Sequence, residues 1–160
     1  MRFRVCACVT AVAAASLLGG CMRGQIIDHE GRAIALITPK SQWKLSGDFT
    51  DAAKAADDNV NTVATSSDSP TSYLQIDLGK PCVFNLIIID HGPDNQHNFP
   101  GRLVVMTSYD GKNWTTEYVV HGTRRITYIP LVGAKLARYV RLVTQVRGEQ
   151  PWTVGEIYFQ

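Results

Sequence analysis

From residue 42 onward the apolar residues come in short runs bounded by Gly, Pro, Asn and Asp, and inside the runs they tend to alternate with polar positions. A period of two is the mark of strands that bury one face, whereas an amphipathic helix repeats every 3.6 residues. The runs predict strands over residues 42–45, 73–78, 84–90, 102–109, 115–120, 126–129, 136–144 and 154–159. About eight short strands with frequent turn signals define an all-β sandwich. Asp110-Gly111 between two of the runs predicts a hairpin, because glycine accepts the positive φ of a tight turn. Only residues 49–58, with Ala52, Ala53, Lys54, Ala55 and Ala56, predict a single helical turn. Residues 65–72 read as a serine-rich polar loop.

Alternation also assigns faces. In Tyr139-Val140-Arg141-Leu142, Val140 and Leu142 share one face and are expected in the core, while Tyr139 and Arg141 share the other. Trp114, just past the hairpin, is expected to cover the core or an edge, the other reading being a ligand platform. Cys82 opens a strand and reads as a small buried hydrophobe, with a reactive thiol as the alternative.

The start of the chain has a different pattern. Arg2 and Arg4 precede an apolar run over residues 5–18, too short to cross a hydrocarbon core of about 30 Å as a helix but suited to a secretory signal. The run ends in Leu18-Gly19-Gly20-Cys21, which resembles the bacterial lipobox. That resemblance implies acylation of Cys21 after cleavage of residues 1–20; the alternative is an ordinary cleaved signal with an incidental cysteine. Residues 21–40 then form a tether whose second half is expected to pair as an edge strand, and residues 41–160 one domain. Several buried acyl methylenes at about 0.8 kcal/mol each would anchor the protein to a membrane without spanning it. Met22 stands where an aspartate can signal inner-membrane retention, so the expected location is the bacterial cell envelope, on the outer membrane where there is one.

Charge narrows the partners. Without Arg2 and Arg4 the 16 basic residues fall to 14, equal to the 14 acidic ones, and the electrostatic footprint of nucleic acid binding is missing. Beyond Cys21 only Cys82 remains, which excludes a disulfide within the mature chain.

Four marks occur in fixed order: Leu74-Gln75-Ile76-Asp77-Leu78-Gly79, Asp110-Gly111-Lys112-Asn113-Trp114, Ala137-Arg138-Tyr139-Val140-Arg141-Leu142 and Trp152-Thr153-Val154-Gly155-Glu156-Ile157. Together they resemble the discoidin, or coagulation factor 5/8 type C, domain, with specificity in order and spacing. The resemblance implies a galactose-binding-domain-like jelly-roll β-sandwich similar to family 32 carbohydrate-binding modules. It also implies a non-catalytic binding role, in many members for carbohydrate.

Residues 54–62 resemble the family loop that wraps a calcium ion. The resemblance assigns Asp57 as the carboxylate ligand, Thr62 as a hydroxyl and carbonyl ligand, Lys54 and Asn59 as backbone ligands, and Gly155 and Glu156 as a carbonyl and a carboxylate from the far end of the chain. Such an ion would be structural, stapling the loop to the last strand. Asp58 stands where the family has glycine, and Ala64 where it has tryptophan. The alternative is a solvated acidic turn capped by Asp57.

The ligand site in carbohydrate-binding members lies on loops at one end of the sandwich. Residues 90–100 are the richest loop, with His91, Asp94, Asn95, His97 and Asn98 able to bond sugar hydroxyls and Phe99 able to stack on a pyranose. Arg147 and Trp152 come from a second loop, residues 147–152, which offers a cation, the Glu149 carboxylate and a ring. A transition-metal site at His91, Asp94 and His97 competes with the reading of these as solvated loop residues. No Gly-x-Ser-x-Gly elbow or His-Glu-x-x-His pair is present, and no glycosidase carboxylate pair can be singled out. The expectation is a binding module for glycan, the alternative a scaffold lipoprotein that binds another envelope protein.

Overall fold

The structure is a computed structural model of the 160-residue chain and describes residues 26–27, 33–34, 36–93 and 97–160. The expected signal segment, Cys21, Asp94 and Asn95 lie outside the described residues. The strands are β1 (Ile26–Ile27), β2 (Ala33–Ile34), β3 (Lys44–Gly47), β4 (Phe49–Thr50), β5 (Ala64–Ser66), β6 (Tyr73–Asp90), β7 (Arg102–Ser108), β8 (Thr115–Val120), β9 (Ile126–Val146), β10 (Thr153–Val154) and β11 (Glu156–Phe159). All the pairings among them are antiparallel.

β6 and β9 are the long members, and each serves two layers. The first half of β6 pairs with β3 and with the second half of β9, as in Ile76 opposite Leu45 and Val140. The second half of β6 pairs with β11 and with the first half of β9, as in Ile88 opposite Tyr158 and Tyr128. Register shifts in the β6–β9 ladder between Asp77 and Leu86 mark the turn from one layer to the other. On β9 the corner holds Gly133 at φ +72°, with open space where a β-carbon would stand. The runs read from sequence as separate strands on either side of these corners are therefore continuous. β7 and β8 extend the first layer beyond β9, and β10, β5 and β4 form a small flanking sheet.

Alternation fixes the core as the sequence implied. Leu74, Ile76, Leu78, Ile87 and Ile89 of β6 and Val140 and Leu142 of β9 are fully buried, each contributing about 1.5–3 kcal/mol relative to an exposed side chain. Cys82 is buried on the same β6. The helical turn expected over residues 49–58 is a 3₁₀ turn at Ala52–Ala56 that buries Ala55, while Phe49–Thr50 is strand. The polar stretch at residues 65–72 begins inside β5, whose Thr65 lies opposite both Thr50 and Thr153. β1 and β2 pair with each other, Ile26 opposite Ile34, so the expected tether strand has a local partner.

The β7–β8 hairpin forms at Asp110-Gly111 as expected, around a carboxylate. Asp110 Oδ1 accepts hydrogen bonds from the backbone N–H groups of Lys112 and Asn113, each at 2.8 Å, and Oδ2 from Asn113 Nδ2 at 2.7 Å. These donors hold the Asp110 carboxyl well below the usual carboxylate range, the Asn113 N–H contributing most. The Arg141 guanidinium lies over the half-buried Trp114 ring, 4.0 Å to its centroid, so Trp114 covers the polar face of β9 and is not a core residue.

Candidate functional site

Arg102 of β7 pairs with Val146 of β9, and beyond that pair the 97–101 and 147–149 loops leave the sheet side by side. They pack backbone to backbone: a β-carbon on Gly148 would stand 2.0 Å from the Phe99 carbonyl oxygen. Thr153 N donates to Asn98 O at 2.9 Å and Asn98 Nδ2 to Pro151 O at 3.3 Å, tying the loops further. Between them lies a cleft of about 360 Å³ lined by His97, Phe99, Gly101, Arg147, Gly148 and Glu149.

Its polar groups are held at the surface. His97 Nδ1 is 2.8 Å from Glu149 Oε2, and Arg147 donates to Asp68 Oδ1 at 2.8 Å and to Asp68 O at 3.2 Å. Exposed pairs of this kind are worth about 1 kcal/mol or less, so a ligand hydroxyl can replace one partner at little cost. Phe99 is half-buried and contributes a ring to the wall. The structure thus unites His97, Phe99 and Arg147 from the sequence-derived set with Glu149, the carboxylate of the second loop, and adds Asp68 through Arg147. Asp68 is an exposed acid in a polar loop, and nothing in its spacing to Arg147 singles it out.

Two residues of that set move to the core, which corrects the expectation that they face a ligand. His91 is fully buried and Trp152 is 3 % exposed. Trp152 Nε1 lies 3.1 Å from His91 Nδ1, and because an indole N–H can only donate, the ring proton is assigned to Nε2, which donates to Thr127 Oγ1 at 2.7 Å. Burial pushes the His91 pKa down to about 4, although Thr153 O, 3.0 Å from Nδ1, favours the protonated ring. Trp152 also packs edge-on against Phe49, with centroids 5.0 Å apart. Asn98 is half-buried and spent on Pro151. His91, buried away from exposed His97, does not join it in a metal site, and among the described residues no group of three or more His, Cys, Asp or Glu side chains could hold one.

Of the residues assigned to calcium, Glu156 faces a different cation, the Lys40 ammonium. Both oxygens of Asp57 are engaged within the loop, Oδ1 accepting from Asn59 N at 3.0 Å and Oδ2 from Thr62 Oγ1 at 2.7 Å. The Asn59 carbonyl accepts from Thr62 N at 3.1 Å and lies 2.9 Å from Thr62 Oγ1, whose single proton is directed to the nearer Asp57 carboxylate. Lys54 Nζ pairs outward with Asp51 at 2.7 Å and Gly155 N donates to Asp90 O at 2.8 Å, contacts that leave their backbone carbonyls, the expected ligand atoms, untouched. Asp58 takes the glycine position at φ +61°, a left-handed conformation that Asp tolerates better than most residues. Its carboxylate reaches Lys40, whose ammonium lies 2.8 Å from Asp58 Oδ1 and 2.8 Å from Glu156 Oε1. Glu156 is wholly buried, and among the described residues neither of its oxygens has a hydrogen-bond partner, Oε1 being held by the ion pair with Lys40 alone. Calcium requires about six to eight oxygens and would have to share Glu156 with a fixed positive charge. As arranged, the Lys40 ammonium is the cation that faces the Glu156 carboxylate.

The sequence matches the F5/8 type C domain family over residues 37–157, and the chain belongs to that family. Solved structures with the same fold include a family 32 carbohydrate-binding module of Clostridium perfringens in complex with GalNAc-β-1,3-galactose, 14 % identical, covering 76 % of this chain and 96 % of that one, TM-score 0.69. The family 32 module of C. perfringens NanJ, in complex with galactose, is 16 % identical over 76 % of this chain and 95 % of that one, TM-score 0.66. The lectin domain of lectinolysin, complexed with Lewis B antigen, is 17 % identical over 79 % and 98 %, TM-score 0.62. No curated protein sequence matches the chain.

Proposed function

We propose that this protein is a non-catalytic glycan-binding module displayed on the bacterial cell envelope. The observation that carries the reading is the cleft at the loop end of the sandwich, where the Phe99 ring stands with the Arg147, His97 and Glu149 side chains. A half-exposed ring offers an apolar face to a pyranose, while a guanidinium, an imidazole and a carboxylate donate and accept hydrogen bonds to its hydroxyls. The glycan complexes of the structural neighbours agree with this class of ligand. The Leu18-Gly19-Gly20-Cys21 sequence supports attachment through an acylated Cys21.

A glycan array probed with the purified protein tests the binding role. Selective retention of one class of saccharide, lost in Arg147→Ala, is the expected result; failure across diverse glycans would overturn it. Labelling cells with a tagged fatty acid tests the anchor, since Cys21→Ala should abolish incorporation.

A further inference from the structure

Lys40 lies just ahead of the first strand of the large sheet, yet its side chain is only 14 % exposed. Three groups from two distant parts of the chain surround its ammonium: Asp58 Oδ1 at 2.8 Å, Glu156 Oε1 at 2.8 Å and the Tyr158 ring, 4.2 Å to its centroid. Two of these groups belong to the last strand, and the third to the loop that in the family wraps calcium. We infer that the Lys40 ammonium is a built-in cation that takes over the stapling role of a divalent metal in this domain, making the domain independent of calcium.

Three observations converge on this. The carboxylate at the former glycine position, Asp58, is spent on Lys40 and adds the second negative charge that a monovalent cation between two acids balances only in part. The Asp57, Asn59 and Thr62 oxygens close the loop on themselves with hydrogen bonds of 2.7–3.1 Å, so the loop holds its shape through its own contacts. Glu156 is completely buried, and Lys40 is its cationic partner among the described residues. A covalently tethered cation has no dissociation equilibrium, and chelators cannot strip it.

The test is thermal unfolding of the purified protein in millimolar calcium and in chelator, with a calorimetric calcium titration, for the wild type and for Lys40→Gln. The wild type should melt at the same temperature in both buffers and give no calcium heat. Lys40→Gln should melt several degrees lower in chelator and regain part of that loss with calcium, because removing the ammonium leaves Glu156 and Asp58 facing each other. A wild-type melting point that rises with calcium, or saturable calcium binding by the wild type, would overturn the inference whether or not the variant folds. A Lys40→Gln protein as stable in chelator as the wild type would overturn it as well.

Discussion

Trp152 donates its indole N–H to His91 Nδ1 across 3.1 Å, joining two side chains 61 residues apart inside the core. The pair makes the ring of a buried histidine part of the structural framework under the ligand loops. Its neutrality therefore matters to the fold.

Stability should fall on mild acidification. The folded His91 pKa, about 4, lies below the ordinary 6.5, so the unfolded chain binds the proton first as pH drops. The contribution is fully present above pH 6.5 and is lost progressively toward pH 4; a shift of this size corresponds to on the order of 3 kcal/mol. Denaturant unfolding between pH 4 and 7 should show a steeper slope for the wild type than for His91→Gln, the difference removing the carboxylates common to both. Parallel slopes would exclude the assignment.

Trp152→Ala should be severe. It empties a core position beside Phe49 and strips the donor from His91, so a loss of about 3–5 kcal/mol is expected in equilibrium unfolding. The glycan readout is then meaningful only at temperatures where the variant is folded.

Phe99→Ala should behave in the opposite way. Its ring is half-exposed at the cleft, so stability should change less than in Trp152→Ala, while affinity for a bound saccharide falls about tenfold or more. Titration calorimetry with whichever glycan the array identifies distinguishes the two variants.

Gly148→Ala and Gly133→Ala form a controlled pair. A β-carbon at 148 meets the Phe99 carbonyl at 2.0 Å and must push the two cleft loops apart, whereas at 133 it meets nothing and costs only the left-handed strain of about 1–2 kcal/mol. Glycan binding should fall in Gly148→Ala and persist in Gly133→Ala.

Most of the sandwich was legible because its core alternates. Leu74, Ile76 and Leu78 on β6 and Val140 and Leu142 on β9 each follow the period of two that the pleat imposes. The corners were not legible. Gly79-Lys80-Pro81 reads as a break, but pairing resumes at Cys82 opposite Ala137 and carries β6 through. β5 is three residues of small and polar type, and its partners come from residues 49–50 and 153–154.

The site was legible only in part, for a related reason. His97 and Arg147 stand out as polar loop residues, and so did His91, whose side chain is satisfied by Thr127 and Trp152 from distant segments. Local composition cannot distinguish an imidazole facing water from one enclosed by such partners. Lys40 carried no signal at all, since its significance depends on Glu156 at the other end of the domain.

The division of β6 and β9 between two layers has a kinetic consequence. Tyr73 pairs with Val143 and Asp90 with Ile126, so the central ladder closes around β7 and β8, which lie between its two strands in sequence. Neither layer can detach without tearing the same two strands. The domain should therefore unfold in one transition and refold on the millisecond-to-second scale typical of chains dominated by distant pairings, with no autonomous half to accumulate along the way.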